Sequence, residues 1–347
     1  MSGKTRLNPA LNTTGERQSN TFFVTGGAGF IGSHLVGRLA EIGPVTVYDN
    51  LSVGRVEFIQ PYLADGKVRL VQADLLHSTT LNRSIAGHNV VFHLAADSDV
   101  QRDSTRPRVH LEQEVLATYN LLEAMRQSSI NDIVFTSSSV VYGEATHFPT
   151  PEDYGPLLPI SLYGAGKLAG EALISSYCHI FGLRAWIFRN ANIVGPHGTH
   201  GVIFDFIHKL LQDPRELEIK GDGAQRKSYL HVAEFIDAIL YAYRHAREKV
   251  NMFNIGCNST TSVSRIAEII VEAMGLKNVA FKYTGGKRGW PGDVPHFELD
   301  VSKLKDLGWT AKLTSEEAVR KAARELIDET KHASNTIPAK AGKGKKS

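Results

Sequence analysis

The chain alternates short apolar runs with stretches whose apolar residues recur every three or four positions, starting with Thr21–Thr25 and a helical spacing over Ile31–Glu41. Further runs follow at Val45–Tyr48, Val68–Gln72, Val90–Leu94, Ile133–Thr136 and Arg184–Phe188. Runs this short and this continuously apolar suit strands covered on both faces, and helical connections between them imply parallel pairing. The pattern therefore predicts an α/β fold, a doubly wound parallel sheet with helices on both faces. After about Asn190 the spacing loosens. Helices are expected at Phe204–Leu211, Ala233–Arg247 and Ser264–Met274, with short strands at Leu217–Ile219 and Phe253–Ile255. That predicts a smaller C-terminal α/β part, and ligands of such folds bind in the cleft at the carboxyl ends of the strands. The expected division is 20–190 for the sheet domain and mainly 191–330 for a substrate-binding domain interleaved with it. Segments 1–19 and 331–347 show no apolar period and are expected to be flexible.

Composition narrows the partners. The formal net charge is +3, but five lysines without an acid lie from Lys331 onward and the first twenty residues carry +2, which leaves −4 for the remainder. A nucleic-acid partner is therefore not expected. Cys178 and Cys257 are the two cysteines, too far apart in sequence for a metal-ligand spacing, so no metal is expected. The polar N-terminus and the lack of any run of about 18 apolar residues lead to the expectation of a cytoplasmic protein that makes no use of a membrane.

The sharpest local signal is Val24-Thr25-Gly26-Gly27-Ala28-Gly29-Phe30-Ile31-Gly32, which joins the first strand to the first helix. Gly26, Gly29 and Gly32 let the chain turn tightly, approach a pyrophosphate and pack the helix on the sheet, while the helix N-terminus faces the anion. This is a dinucleotide cradle of the Rossmann type. Asp49 lies 23 residues after Gly26 at the end of the next strand. There a carboxylate can accept hydrogen bonds from ribose hydroxyls and repel a 2′-phosphate, which selects NAD over NADP.

Tyr163 and Lys167 are an i,i+4 pair at the start of a long apolar helix. On one helical face the ammonium can lower the phenol's pKa and let it exchange a proton near neutral pH. Such a pair is common on ordinary helix surfaces, and its position is what gives it weight. It follows the fifth strand and lies 21 residues beyond Tyr142, which ends the serine run Ser137-Ser138-Ser139-Val140-Val141-Tyr142. Ser138, at that strand end, can hydrogen-bond the same substrate oxygen.

In this order, over about Thr21 to Glu325, these elements resemble the extended short-chain dehydrogenase/reductase family of NAD-dependent epimerases and dehydratases. The resemblance implies that Gly26, Gly29, Phe30, Ile31, Gly32, Asp49, Asn50, Asp74, Leu75, Leu94, Ala95 and Ala96 bind NAD together with Tyr163 and Lys167. It also implies a homodimer through helices near Leu111–Gln127 and Tyr163–Phe181. Within the family, Gly221–Val232 and Gly285–Val294 are most similar to the nucleotide-binding loops of UDP-glucose/UDP-galactose 4-epimerases. Asn192, Arg226, Lys227, Arg288 and Asp293, with Ser138, are thereby expected to bind a UDP-hexose, and the cations suit a diphosphate. The family's dehydratases and decarboxylases carry an acid two positions before the residue matching Tyr142, where this chain has Val140. Two further departures are Glu114, where the family usually has Asn, and Lys227, where the epimerases usually have Arg. Phe297 stands near a position that limits sugar bulk and suggests plain hexoses over N-acetylated ones. Other nucleotide-sugar oxidoreductases, a UDP-uronate epimerase and a non-catalytic dinucleotide sensor are the open alternatives.

Overall fold

A computed structural model of the chain describes residues 20–98, 105–290 and 292–336. Its centre is a seven-stranded parallel sheet built from β1 (Phe22–Thr25), β2 (Val45–Asp49), β3 (Val68–Gln72), β4 (Val90–His93), β5 (Asp132–Ser138), β6 (Arg184–Asn190) and the strand Val250–Ile255. The order across the sheet is Val250–Ile255, β6, β5, β4, β1, β2, β3. From β1 the chain winds outward one way through β2 and β3, then crosses to β4 and winds the other way. The crevice where the order reverses therefore opens above β1 and β4.

Strand alternation divides the core into two layers. Phe22, Val24, Val45, Val47, Phe92, Val134 and Phe188 face helices Phe30–Ala40 and Val232–His245. Phe23, Tyr48, Val91, Ile133, Phe135 and Ile187 face helices Ser78–Ile85, Ala117–Gln127 and Leu162–Phe181. Each fully buried aliphatic or aromatic side chain contributes about 1.5–3 kcal/mol, so covering both faces of four- to seven-residue strands makes this sheet the rigid base of the molecule.

Val250–Ile255 departs from the expectation of a short strand at Phe253–Ile255 in the C-terminal part. It pairs along its whole length with β6, from Val250 opposite Ala185 to Ile255 opposite Asn190. Asn251 and Asn254 break the apolar run in the sequence, yet both are buried. The Asn251 side-chain amide donates to the carbonyls of Ala185 and Glu248, and that of Asn254 to Thr150 and Asp300. A second core lies beyond β6. Helices Val202–Gln212, Val263–Ala273 and Ser315–Thr336 pack there against the parallel pair Glu216–Ile219 and Ala280–Tyr283. The last of these helices is not among the expected elements and carries the chain as helix past Lys331 to Thr336. Its buried stripe, Ala318, Val319, Ala322, Ala323, Leu326 and Ile327, is narrow and half alanine, which explains why hydropathy alone does not mark it.

Candidate active site

β1 ends at Thr25, and the backbone turns at Gly26 with φ +68°. A Cβ at Gly26 would lie 2.6 Å from the Ala95 amide nitrogen, and one at Gly32 would collide with the Gly26 carbonyl oxygen. Gly29 is the N-cap of helix Phe30–Ala40, and no side-chain hydrogen bond caps that end. The amides of Phe30 and Ile31 thus begin a helix whose positive end is left to an anion. This cradle, which a Cβ would fill, fits the pyrophosphate of a dinucleotide. Gly32→Ala is expected to weaken NAD binding by at least about tenfold, or 1.4 kcal/mol, measured by calorimetry beside a circular-dichroism check of the fold.

The residues expected around the cofactor line the carboxyl ends of four adjacent strands. Asp49 ends β2 and is buried, accepting the Ala28 amide at 3.0 Å and the Leu51 amide at 2.8 Å. Burial pushes its carboxyl up and the two N–H donors pull it down. After β3, Asp74 accepts from the Asn50 side chain at 2.8 Å and from Gln113 at 3.3 Å, and Leu75 turns into the core. After β4, Leu94, Ala95 and Ala96 run past the glycine turn, and the Leu94 amide donates to the Thr25 carbonyl at 3.1 Å.

His93 fixes this last segment, a role the sequence did not suggest. Thr118 donates to the Glu114 carbonyl at 2.6 Å, so its oxygen is free to accept from His93 Nε2 at 2.9 Å. The ring's proton is then on Nε2, and Nδ1 accepts from the Thr25 hydroxyl at 2.7 Å. Thr25 in turn accepts the Ala95 amide at 3.3 Å. Burial, with the Lys167 charge, pushes the imidazole down to about 3 and keeps it neutral.

The residues expected to transfer the proton sit at the neighbouring strand end. Ser138 ends β5, and helix Leu162–Phe181 starts at Ser161, whose hydroxyl accepts the Gly164 amide at 3.0 Å. The first turn of that helix places the Tyr163 phenol near Ser138, whose side chain acts to lower the phenol's pKa. One turn on, Lys167 is buried with Nζ donating to the Thr136 carbonyl at 3.0 Å and lying 5.7 Å from the Tyr163 ring centroid. Glu114 completes the floor. It lies in a π-helical stretch, Leu111–Leu116, with one carboxylate oxygen 3.5 Å from Lys167 Nζ and the other accepting the Asp97 amide at 2.9 Å. The approach requires Gly166, where a Cβ would lie 2.5 Å from that of Glu114. Burial pushes the Glu114 carboxyl up to about 7 against the pull of Lys167. Burial likewise lowers Lys167, opposed by Glu114 and Glu171. Desolvation, then Glu114, push the Tyr163 phenol above its usual range, and the Ser138 side chain acts the other way.

Beneath this site lies a polar network that sequence reasoning missed. Arg189 is buried on β6 and grips Glu171 through both carboxylate oxygens, at 2.7 Å from Nη2 and 3.0 Å from Nε. Glu171 stands four residues beyond Lys167 on the same helix face. Continuing the row Tyr163, Lys167 to its next member was the available signal.

On the far side of the cleft, Lys227 pairs with buried Asp293 at 2.6 Å and lies 5.3 Å from the Trp290 ring centroid. Arg288 donates to the Asp293 carbonyl at 2.8 Å and to Glu144 at 2.6 Å. Their loop reaches the segment that leads into helix Leu162–Phe181, since a Cβ on Gly292 would lie 3.2 Å from the Ile160 carbonyl oxygen. Asn192 opens the strand Asn192–Val194 opposite Tyr229, and its side chain acts to lower the Tyr229 phenol's pKa against the larger effect of burial. Arg226, expected beside Lys227, is turned away by strand alternation and donates to the Thr260 hydroxyl and carbonyl, each at 3.2 Å. Phe297 is buried among Val141, Tyr142, Ala191, Val294 and Leu299.

A Rossmann sheet with this cradle at its switch point defines the class, a dinucleotide-dependent enzyme. The chain belongs to the NAD dependent epimerase/dehydratase family, which it matches over residues 22–256. It is 34% identical over 307 residues to the UDP-glucose 4-epimerase of Mycolicibacterium smegmatis, covering 86% of this chain and 96% of the relative. A crystal structure of a UDP-galactose 4-epimerase superposes with a TM-score of 0.80 at 43% identity, covering 89% of this chain and 99% of the other. The Thermus thermophilus UDP-glucose 4-epimerase, solved with NAD, superposes with a TM-score of 0.77 at 30% identity, covering 88% and 98%. NAD is the cofactor, and the residues above the switch point fit it.

Proposed function

We propose that the protein is a 4-epimerase that interconverts UDP-glucose and UDP-galactose. The observation that carries this reading is the arrangement of Ser138, Tyr163 and Lys167 beside the dinucleotide cradle, with Val140 at the place where the family's dehydratases hold an acid. The buried carboxylates packed around the helix, Glu114 and Glu171, are committed to Lys167 and Arg189. Among the described residues, elimination of water therefore lacks an acid at the family's position, while reversible oxidation at a hydroxyl needs none.

Bound NAD supplies a hydride acceptor and donor. Tyr163, as phenolate, takes the proton of the sugar's 4-hydroxyl, and Ser138 holds the oxygen in line. Lys167 favours the phenolate by charge. When the 4-ketose has turned over in the site, Tyr163 returns the proton to the carbonyl oxygen as reduction occurs from the opposite face, so net redox is zero. Lys227, Arg288 and Asn192 hold the diphosphate, with Asp293 fixing the two cations. Residues 191–330 mainly form the substrate side of the cleft. A homodimer forms through the exposed apolar side chains of the helices that frame the site, Leu111, Leu116, Tyr119, Ile180 and Phe181.

The test is incubation of the purified protein, without added cofactor, with UDP-glucose and separately with UDP-galactose, followed by NMR of the sugars. Each is expected to yield the same mixture. Two unchanged samples from protein shown to contain NAD would overturn the UDP-hexose reading.

A further inference from the structure

Three groups share the floor of the site. Lys167 has three N–H donors. One is spent on the Thr136 carbonyl at 3.0 Å, Glu114 lies 3.5 Å from the same nitrogen, and the Tyr163 ring centroid is 5.7 Å from it. One buried cation thus serves two acids. Glu114 is also anchored independently of Lys167, because its other oxygen holds the Asp97 amide and Gly166 leaves room for its stem. Protonation of Glu114 can therefore change the charge facing Lys167 without releasing the side chain.

We propose that Glu114 is a positioning residue whose carboxyl proton decides where the Lys167 charge acts. With the proton on, the ammonium's field is left to Tyr163 and the phenolate forms; with the proton off, Glu114 claims that field and Tyr163 stays a neutral phenol. Tyr163 phenol with Glu114 carboxylate and Tyr163 phenolate with Glu114 acid hold the same number of protons around Lys167. The single negative charge goes to the more acidic of the two, and Glu114 thereby delays the second ionisation, that of Tyr163, to higher pH.

The surrounding groups leave this competition intact. Tyr163, Lys167 and Glu171 face it from helix Leu162–Phe181, and Glu171 is held by Arg189. Asp97 faces it from the segment after β4, and His93 from β4 itself is neutral. On Glu114's own helix, His110 stands edge-on to the Tyr163 ring with centroids 6.3 Å apart.

The inference rests on Tyr163 being the acid/base group, and the experiment separates the two. The pH profile of kcat is measured for the parent, Glu114→Gln, Glu114→Asn and Tyr163→Phe, each with retained NAD and a thermal melt as the check of folding. Glu114→Gln keeps an acceptor for Asp97 and removes the charge. Its rising limb is expected at least one pH unit, a tenfold change in acidity, below the parent's, and Glu114→Asn is expected to move the same way. Folded Gln and Asn variants whose scaled profiles coincide with the parent's, or move to higher pH, overturn the role of Glu114 while an inactive Tyr163→Phe upholds the acid/base reading. An active Tyr163→Phe overturns both.

Discussion

Tyr163→Phe is expected to lower turnover of UDP-hexose by about 10²–10⁴-fold while leaving NAD in place, since this is the range that a positioned acid/base group supplies. The substitution removes one oxygen. The ring keeps its edge contact with His110 and its place beside Lys167. Most residues expected to hold the cofactor lie on other elements, at Gly26–Gly32, Asp49, Asp74 and Leu94–Ala96, and Lys167 stays anchored by the Thr136 carbonyl. Loss of rate with retained cofactor, read as dinucleotide released on denaturation, separates chemistry from folding. Ser138→Ala leaves the phenol in place and is expected to cost less, because it removes only one hydrogen bond to the shared oxygen. An unchanged rate for Tyr163→Phe would remove the mechanism altogether.

Most of what carries this chemistry was legible in the sequence because it is local. Strand β3 has the expected bounds, β1, β2, β4 and β6 differ by one or two residues at one end, and β5 is longer by one residue at its start and two at its end. Continuous apolar runs between glycine turns leave little choice of structure. Gly26 and Gly32 are needed for steric reasons that depend on a strand, a turn and a helix in succession, and the sequence contains all three. What it hides is pairing between distant polar residues. Arg189 and Glu171 each look like surface charge in one dimension, and only the packing of helix Leu162–Phe181 on β6 makes them a buried couple. Asn251 interrupts an apolar pattern and so conceals the first half of a sheet strand, although its side-chain amide is satisfied by the carbonyls of Ala185 and Glu248. The neighbours Arg226 and Lys227 look like one cationic patch until their strand sends them to opposite sides. Glu114 was visible as a departure from the family pattern, but its 3.5 Å contact with Lys167 depends on the close approach that Gly166 allows.

Arg189→Met is expected to destabilise the fold by about 3–5 kcal/mol, the range for removing one partner of a buried ion pair. The side chains of Arg189 and Glu171 are 3% and 4% exposed, so neither charge is screened by water. Without the guanidinium, Glu171 keeps only the Ser137 hydroxyl among its strong partners, and its carboxylate must remain buried or take up a proton. The same substitution removes the donor to the Glu152 carbonyl at 3.0 Å and the cation 4.8 Å above the Tyr142 ring. Those contacts tie the 150–154 segment to the sheet, where Tyr142 and Glu152 both bind Asn254. Much of the expected loss comes from an orphaned charge and the rest from severed contacts, and a second substitution separates them. Arg189→Met combined with Glu171→Gln removes both charges and is expected to recover stability relative to Arg189→Met alone, with a coupling of at least about 1 kcal/mol in urea-unfolding free energies. A single-variant loss under about 1 kcal/mol would mean that water reaches Glu171 and that the couple is not sealed. Full additivity would assign the loss to the Glu152 and Tyr142 contacts instead. Because Glu171 is one helical turn from Lys167, the couple also holds the lysine side of helix Leu162–Phe181 against β5 and β6, so Arg189→Met is expected to loosen that side more than the double variant, which leaves no orphaned charge beside Lys167.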